Sequence, residues 1–311
     1  MLAGGGSSSC ESINRLLASF PLLINTNTII SSEGLITAVI GLLSLFIIPN
    51  WPETATFLSP TERSLLLTRL STDVADAKMD RLDRPALKRI FSDWKIYISI
   101  LMYLGVINTG YATSFFTPTI IHELGYTATA AQVRSIPVFV VATVCSLATA
   151  LATDRLRHRF GFCIAGILIA SIGYIVLLAQ ETVSVGGRYG AIFLIVSGGY
   201  ITQPVTLAWI QNNVAGHYKR AITSAMVVGF GNCGGIVASN VFITSQAPRY
   251  PVGYGVSLAF LWMTAAACCV LAWGVRRENG KREMGERDWR LDLGEESDNL
   301  GDDHPRFRFT Y

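Results

Sequence analysis

DRLRHR, residues 154–159, separates two apolar stretches, Ile136–Thr153 and Phe160–Leu178, neither of which contains a charged residue. Each stretch approaches the ~20 residues that an α-helix needs to cross a bilayer. Because a charged side chain at the bilayer centre costs about 2.5–3.5 kcal/mol on insertion scales, the three arginines of this segment must lie at a membrane surface. The segment therefore predicts a tight hairpin between two transmembrane helices.

The composition predicts the same class of protein for the whole chain. Of its 311 residues, 50% are hydrophobic and 15% are charged, and its mean hydropathy is +0.41. A soluble domain would carry about 25% charged residues. A net charge of +3 is too small to indicate nucleic-acid binding. The six cysteines and four histidines show no metal-ligand spacing, and there is no Walker motif, nucleophile elbow or HExxH motif, so we expect no cofactor, no metal and no enzyme activity.

We predict an all-α, polytopic membrane protein with about seven transmembrane helices. The candidate spans are Ile29–Ile48, Ile96–Pro118, Ile136–Thr153, Phe160–Leu178, Tyr189–Ile210, Ile222–Ser245 and Val252–Val275. The first is the weakest, because Glu33 lies near its start. The predicted organisation is an atypical N-terminal segment (1–28), a first span (29–49), a central cytoplasmic loop (50–94), a six-helix half (95–275) and a mobile cytoplasmic tail (276–311).

Charge alternates between the connections of these spans. The loops at 50–94 and 154–159, the pair Lys219-Arg220 and the start of the tail are rich in Lys and Arg, and the intervening loops each carry one arginine. The positive-inside rule therefore places the rich connections and the C-terminus in the cytoplasm. Within the long loop, Ser59-Pro60-Thr61-Glu62 is a capping box, which predicts a helix along the membrane surface.

Three polar or aromatic residues of the second span, Asn108, Tyr111 and Phe115, are spaced as one helical face. Uncharged polar groups beside aromatic rings suit a cavity for a small molecule. Hydrogen bonding between helices is an equally good interpretation.

Two further spans contribute cavity candidates. In the fifth, Pro204 frees a backbone carbonyl, and the resulting discontinuous helix would place Tyr200 and Gln203 on the side of a substrate cavity. In the sixth, Asn232 precedes Gly234-Gly235. The glycines of this span favour close helix packing, and a bend at the Gly234-Gly235 pair is the alternative.

The charge cluster of Asp154, Arg155, Arg157 and Arg159 has two interpretations. It is either topogenic charge alone or a gate anchor whose ion pairs hold one conformer of a rocking transporter closed. No Asp, Glu, Lys, Arg or His lies deep inside the second to seventh spans. An ionisable group would be present inside the membrane only if Glu33 of the first span reaches inward. The group that would carry a proton or anchor an anion is therefore not evident.

The order of several short motifs resembles the fungal anion:cation symporter (allantoate permease-like) group of the major facilitator superfamily, from its sixth helix onward. The 154–159 segment resembles the D-R-x-x-R-R-type loop between the eighth and ninth helices of that superfamily. The other motifs are EGLIT at 33–37, PxxPE at 49–53, FLSPxER at 57–63, PTII at 118–121, LGY at 124–126, WIQNNxAG at 209–216, NxGGI at 232–236 and LGDDHPxFR at 300–308.

This resemblance implies proton symport of small organic anions or vitamins, such as allantoate-, nicotinate- or pantothenate-like carboxylates, in the plasma membrane. It also implies an incomplete major facilitator fold with one full six-helix half. We therefore expect the chain to be incompetent alone, with a missing N-terminal half or a full-length paralogue as partner. The alternatives are a truncated regulatory paralogue and a seven-helix receptor-like signalling protein, in which Asp154-Arg155 would follow the third span.

Overall fold

The computed structural model describes residues 26–48, 55, 57–74 and 79–311. The chain divides into two compact units, residues 1–70 and 71–311, and each is described by itself. Most of the predicted N-terminal segment (1–28) lies outside the described residues, and so does the side chain of Glu33.

The first unit contains helix α1, Thr26–Ile47, and the start of helix α2, Pro60–Val74. The described side chains of α1 are mostly apolar and mostly exposed, but they cover only Gly34–Ile47, which is shorter than a full crossing, so a first span stays a prediction. Helix α2 starts with the predicted capping box. The Ser59 hydroxyl accepts from the Glu62 amide (3.3 Å) and the Glu62 carboxylate accepts from the Ser59 amide (3.0 Å).

The second unit is a bundle of helices followed by short 3₁₀ turns. Its helices are α3 (Arg84–Phe91), α4 (Trp94–Glu123), α5 (Ala128–Leu156), α6 (Arg159–Leu178), α7 (Val185–Asn212), α8 (His217–Gly231), α9 (Cys233–Val241) and α10 (Pro251–Glu283). Counting α8 and α9 together, six helices of the described chain are long and apolar enough to cross a membrane. The predicted polytopic helical class is confirmed.

The predicted hairpin at 154–159 is a very short connection. Helix α5 ends at Leu156, and Arg157 closes it in the left-handed conformation (φ 52°) with its amide donating to the Thr153 carbonyl. His158 then caps α6, because its side chain accepts from the Gly161 amide at 3.3 Å. Two residues thus reverse the chain between neighbouring helices.

Small residues let the helices of the bundle approach closely. A Cβ atom on Gly198 of α7 would lie 2.5 Å from the Gly166 carbonyl oxygen of α6, and a Cβ atom on Gly234 of α9 would lie 2.4 Å from the Leu104 carbonyl oxygen of α4. Contacts of this kind require glycine, since a side chain would separate the two backbones. The packing interpretation of the glycines in the sixth span therefore fits the structure.

Two expectations about helix shape were wrong. Helix α7 is continuous through Pro204, because one missing hydrogen bond does not break a helix packed on both sides. The sixth span is interrupted at Asn232, between α8 and α9, two residues before the Gly234-Gly235 pair at which a bend was the alternative interpretation. Helix α10 runs beyond Val275 to Glu283, and the tail after it is folded against the bundle.

Candidate functional site

A cavity of about 320 Å³ lies between α4, α7 and the junction of α8 with α9. We call it the polar cavity. The residues that line it are Tyr103, Ile107, Gly110, Tyr111 and Ser114 of α4, Tyr200 and Gln203 of α7, and Asn232. Four of the six predicted cavity residues are therefore brought together: Tyr111, Tyr200, Gln203 and Asn232.

Local packing gives this cavity its shape. A Cβ atom on Gly235 would lie 2.7 Å from the ring of Tyr111, so α9 approaches α4 directly beside that tyrosine. Across the cavity, the Tyr200 ring packs against Phe139 of α5, with 6.1 Å between the ring centroids. The Asn232 amide donates to the Val228 carbonyl (2.8 Å), which holds this side chain at the helix junction. The lining side chains thus come from three separate parts of the bundle.

Asn108 and Phe115 do not line the polar cavity. Asn108 is fully buried, and its amide nitrogen lies 3.4 Å from the Ser257 hydroxyl of α10, so its contact is the interhelical one. Phe115 is exposed and stacks on Tyr111, with 5.6 Å between the ring centroids. Of the two interpretations of this helical face, hydrogen bonding between helices fits Asn108, and the cavity interpretation fits Tyr111.

The charged side chains of the α5–α6 connection are mostly exposed. Asp154 lies 3.6 Å from the guanidinium of Arg159, within the connection itself. Arg155 and Arg157 form no ion pair with any other residue that the structure describes. A role for this cluster as a gate anchor stays a prediction.

A buried cluster of two lysines and two aspartates was missed by the sequence analysis. The Lys219 ammonium lies 2.6 Å from an Asp93 oxygen and 2.7 Å from an Asp302 oxygen. The Lys95 ammonium lies 3.0 Å and 2.8 Å from the same two carboxylates. We call these four residues the lysine–aspartate cluster. It joins the start of α4, the start of α8 and the tail.

Burial sets the electrostatics of this cluster. The side chains of Lys219 and Asp302 have no exposed surface. Burial alone would raise the pKa of the Asp302 carboxyl, but the ammonium groups of Lys219 and Lys95 hold that pKa well below its ordinary value. The carboxylate therefore stays ionised, and the two opposite charges compensate each other inside the protein.

The tail is bound to the ends of the helices, which contradicts the expected mobile extension. Asn213 exchanges two hydrogen bonds with Thr310 (3.0 and 2.8 Å), and the Trp209 indole donates to the Thr310 carbonyl at 2.8 Å. Asn279 exchanges two with Phe309 (2.8 and 3.0 Å). The buried Arg282 donates to the carbonyls of Asp302, His304 and Phe307. Satisfied backbone groups of this kind define a folded segment.

One sequence signal for this packing was available. The LGDDHPxFR motif of the tail contributed to the family resemblance, yet its aspartates were counted as solvated charge. A lysine near the start of a span and an aspartate in a charged tail carry no periodicity that would pair them.

Comparisons with known proteins agree with the resemblance at the level of the superfamily. A sequence profile described as Major Facilitator Superfamily matches residues 17–239. An uncharacterized transporter of Schizosaccharomyces pombe is 32% identical over 252 residues, covering 81% of this chain and 50% of that protein. An MFS-type transporter of Penicillium expansum is 30% identical over 301 residues, covering 89% and 56%.

A high-affinity nicotinic acid transporter of Saccharomyces cerevisiae is 25% identical over 281 residues, covering 87% of this chain and 52% of that protein. The chain thus spans about half the length of the curated relatives that it matches.

Proposed function

Because the chain belongs to the Major Facilitator Superfamily, we propose that it takes part in the transport of a small organic carboxylate across a membrane by alternating access. The chain is an integral, multi-pass membrane protein, and membership of a transporter family makes the receptor-like interpretation wrong. The finer assignment, to the anion:cation symporter group with an allantoate-, nicotinate- or pantothenate-like substrate, is part of the proposal. The similarity to a nicotinic acid transporter supports it.

The observation that carries this proposal is the lining of the polar cavity. Tyr111, Tyr200, Gln203 and Asn232 line one space of about 320 Å³. All four side chains can donate a hydrogen bond, and neutral donors can satisfy the lone pairs of a carboxylate. Two aromatic rings beside these donors suit a small planar molecule such as nicotinate. We therefore propose that these residues form part of the substrate surface.

The energy coupling and the orientation belong to the same proposal. We propose proton symport, with the C-terminus in the cytoplasm of a cell whose plasma membrane holds the protein. The arginine-rich connections support this orientation through the positive-inside rule. When the proposed partner, an N-terminal half or a full-length paralogue, is present in the same membrane, proton symport predicts that uptake of the carboxylate increases when the outside is acidified and stops when a protonophore is added.

Binding of radiolabelled nicotinate to the purified chain tests the role of the cavity without requiring transport. We expect Gln203→Ala and Asn232→Ala to weaken binding about tenfold each, the effect of losing one hydrogen bond to a charged group. Asn240→Ala is the matched control, since Asn240 makes the same bond to the carbonyl four residues before it (2.7 Å) but does not line the cavity. Equal effects at Asn232 and Asn240 would contradict the proposal.

Proteoliposomes that contain only this chain test the accompanying prediction of incompetence. We expect no accumulation of labelled nicotinate under an inward proton gradient. Robust uptake would show that this prediction is wrong, whatever the outcome of the binding experiment.

A further inference from the structure

A second cavity, of about 550 Å³, lies beside the first residues of α4, the last turns of α10 and the tail. We call it the basic cavity. Its lining contains seven basic side chains against three acidic ones. It shares no residue with the polar cavity. Its volume falls within the range of about 300–1,000 Å³ that is typical of ligand sites.

The positive charge of this cavity is only partly neutralised within the protein. Glu278 lies near three guanidiniums, those of Arg282 (3.4 Å), Arg287 (2.7 Å) and Arg290 (4.0 Å), and Arg290 is also paired with Asp303 (3.3 Å). Two further basic residues of the lining are paired, Arg89 with Glu296 and Lys95 with Asp93 and Asp302. Lys281 has its acidic partner, Glu286, at 4.0 Å. Clustered guanidiniums with too few carboxylates form a site for an anion, and planar guanidiniums match the geometry of phosphate.

Arg277 is the basic residue of this cavity that is best placed to bind a ligand. It is exposed, and it makes no ion pair with any acidic residue in the described part of the chain. Its guanidinium lies over the ring of Trp273, 5.5 Å from the centroid. The interaction with this ring holds the charged group at the mouth of the cavity.

The side chains at the rim of the basic cavity indicate what kind of molecule carries the anionic group. Trp94 and Trp273 both line it, with 43% and 65% of their surface exposed, and the Trp94 ring lies over Gly274. Tyr97 and Leu101 are also exposed, and they lie on the same face of α4 as Trp94. This face leads from the rim of the cavity toward the apolar middle of the helix. Tryptophan and tyrosine concentrate where a membrane meets water, so the cavity opens at the level of lipid headgroups.

We propose that the basic cavity binds the phosphate-bearing headgroup of an anionic membrane lipid. Arg277, Lys281 and Arg287 contact the phosphate, while Trp94 and Trp273 contact the glycerol and the first methylenes of the acyl chains. Basic pockets between transmembrane helices are suited to such headgroups. Because the tail supplies Arg287 and Arg290, an occupied cavity would also join the tail to α10.

Binding of short-chain lipids to the purified full chain in a neutral detergent tests this proposal. The probes are dioctanoyl phosphatidic acid, dioctanoyl phosphatidylinositol 4-phosphate, dioctanoyl phosphatidylcholine and inorganic phosphate. We expect both anionic lipids to bind, and phosphatidylcholine and inorganic phosphate to bind at least tenfold more weakly. Inorganic phosphate that binds as tightly as the lipids would overturn the lipid assignment and indicate a soluble anion.

Neighbouring arginines provide the matched variants. Arg277→Gln should weaken binding of the anionic lipids about tenfold, because a charged hydrogen bond to the phosphate is lost. Arg276→Gln removes the same charge from an exposed residue that does not line the cavity, and we expect no more than a twofold change. Equal losses would show that only the general surface charge attracts the lipid, which would overturn the proposal.

Trp273→Ala separates the contribution of the acyl region from that of the phosphate. It should weaken binding of dioctanoyl phosphatidic acid more than binding of inorganic phosphate, because inorganic phosphate is affected only through the ring that positions Arg277, whereas the lipid also loses its contact with that ring. Both side chains are exposed, so we expect Arg277→Gln and Trp273→Ala to fold, and size-exclusion profiles that match the wild type would confirm this. A Trp273→Ala variant with wild-type lipid affinity would contradict the proposed orientation of the lipid.

Discussion

The polar cavity and the lysine–aspartate cluster differ in charge and in their position along the helices. The cavity lies near the middle of α4 and α7 and is lined by uncharged residues such as Tyr111 and Gln203. The cluster lies where α4 and α8 begin, and all four of its members are ionisable. A charge costs most at the bilayer centre and less near its surface. This chain places neutral donors at the centre and concentrates its buried charge at one end.

The cluster also differs from the cavity in what it connects. Each cavity residue could be replaced while its neighbours keep contact with water, because the space is open. Lys219 and Asp302 have no exposed surface, so removal of one leaves the other as an uncompensated buried charge. We therefore expect substitutions in the cluster to act on stability and substitutions in the cavity to act on binding.

The largest expected effect is that of Lys219→Met. It leaves Asp93 and Asp302 with Lys95 as their shared partner, and breaking a buried ion pair in this way costs about 3–5 kcal/mol. The free energy of unfolding in a titration with sodium dodecyl sulfate, followed by tryptophan fluorescence, measures the loss. Arg155→Met is the control, because Arg155 is exposed and has no ion-pair partner among the described residues, and it should be close to neutral.

A double variant shows whether the cost comes from stranded charge. Lys219→Met with Asp302→Leu removes both members of the fully buried pair and leaves Lys95 beside Asp93 (3.0 Å). Apolar replacement of a whole buried pair is often neutral or stabilising, so we expect part of the lost stability to return. A double variant that is less stable than either single variant would contradict this explanation.

The pH dependence of stability should come from Asp302. Its pKa in the folded protein is lowered, so between that pKa and the unfolded value of about 3.9 the unfolded chain binds more protons. The stabilisation is therefore complete above about pH 4 and is lost as the pH falls below it. Thermal midpoints measured from pH 7 to pH 3 should fall more steeply for the wild type than for Asp302→Asn. Parallel curves would contradict this assignment.

The sequence predicted the spans well because a span depends on composition. An uncharged apolar run such as Phe160–Leu178 has one structure available to it in a membrane, and the structure has α6 at Arg159–Leu178. The charges of the 154–159 segment mark the surface for the same reason. Four of the six predicted cavity residues also meet, since polar side chains in a span avoid lipid.

The cluster and the folded tail could not be predicted in this way, because they depend on long-range contacts. Lys219 and Asp302 are 2.7 Å apart in space but far apart in the sequence, and neither position has a local pattern. Asn108 illustrates the same limit within one helix. Its spacing to Tyr111 and Phe115 was interpreted correctly as helical, but the rotation of α4 against α10 determines what Asn108 contacts.

A smaller effect is expected where α9 packs against α4 beside the polar cavity. A Cβ atom on Gly234 would meet the Leu104 carbonyl oxygen at 2.4 Å, so Gly234→Ala should cost about 1–3 kcal/mol by overpacking. Gly229→Ala is the control on the preceding helix, where no atom lies within 4 Å of the added carbon, and it should be neutral or slightly stabilising. Unfolding titrations of both variants measure the difference, and equal costs would contradict the proposed close contact.

The most local expected effect is that of Trp209→Phe, which loosens the tail that completes the charged end of the bundle. It removes the indole donor to the Thr310 carbonyl (2.8 Å), but Asn213 still donates to that carbonyl, so the lost hydrogen bond should cost about 0.5–1.5 kcal/mol, and the space that the smaller ring leaves at this fully buried position adds to that cost. Hydrogen exchange of the last ten residues should increase while exchange in α4 stays unchanged, since local opening requires less energy than global unfolding. Trp262→Phe is the control, because Trp262 is exposed on α10. If Trp209→Phe also accelerates exchange in α4, the tail and the helix ends open together, and the lysine–aspartate cluster cannot be treated separately from the bundle that it closes.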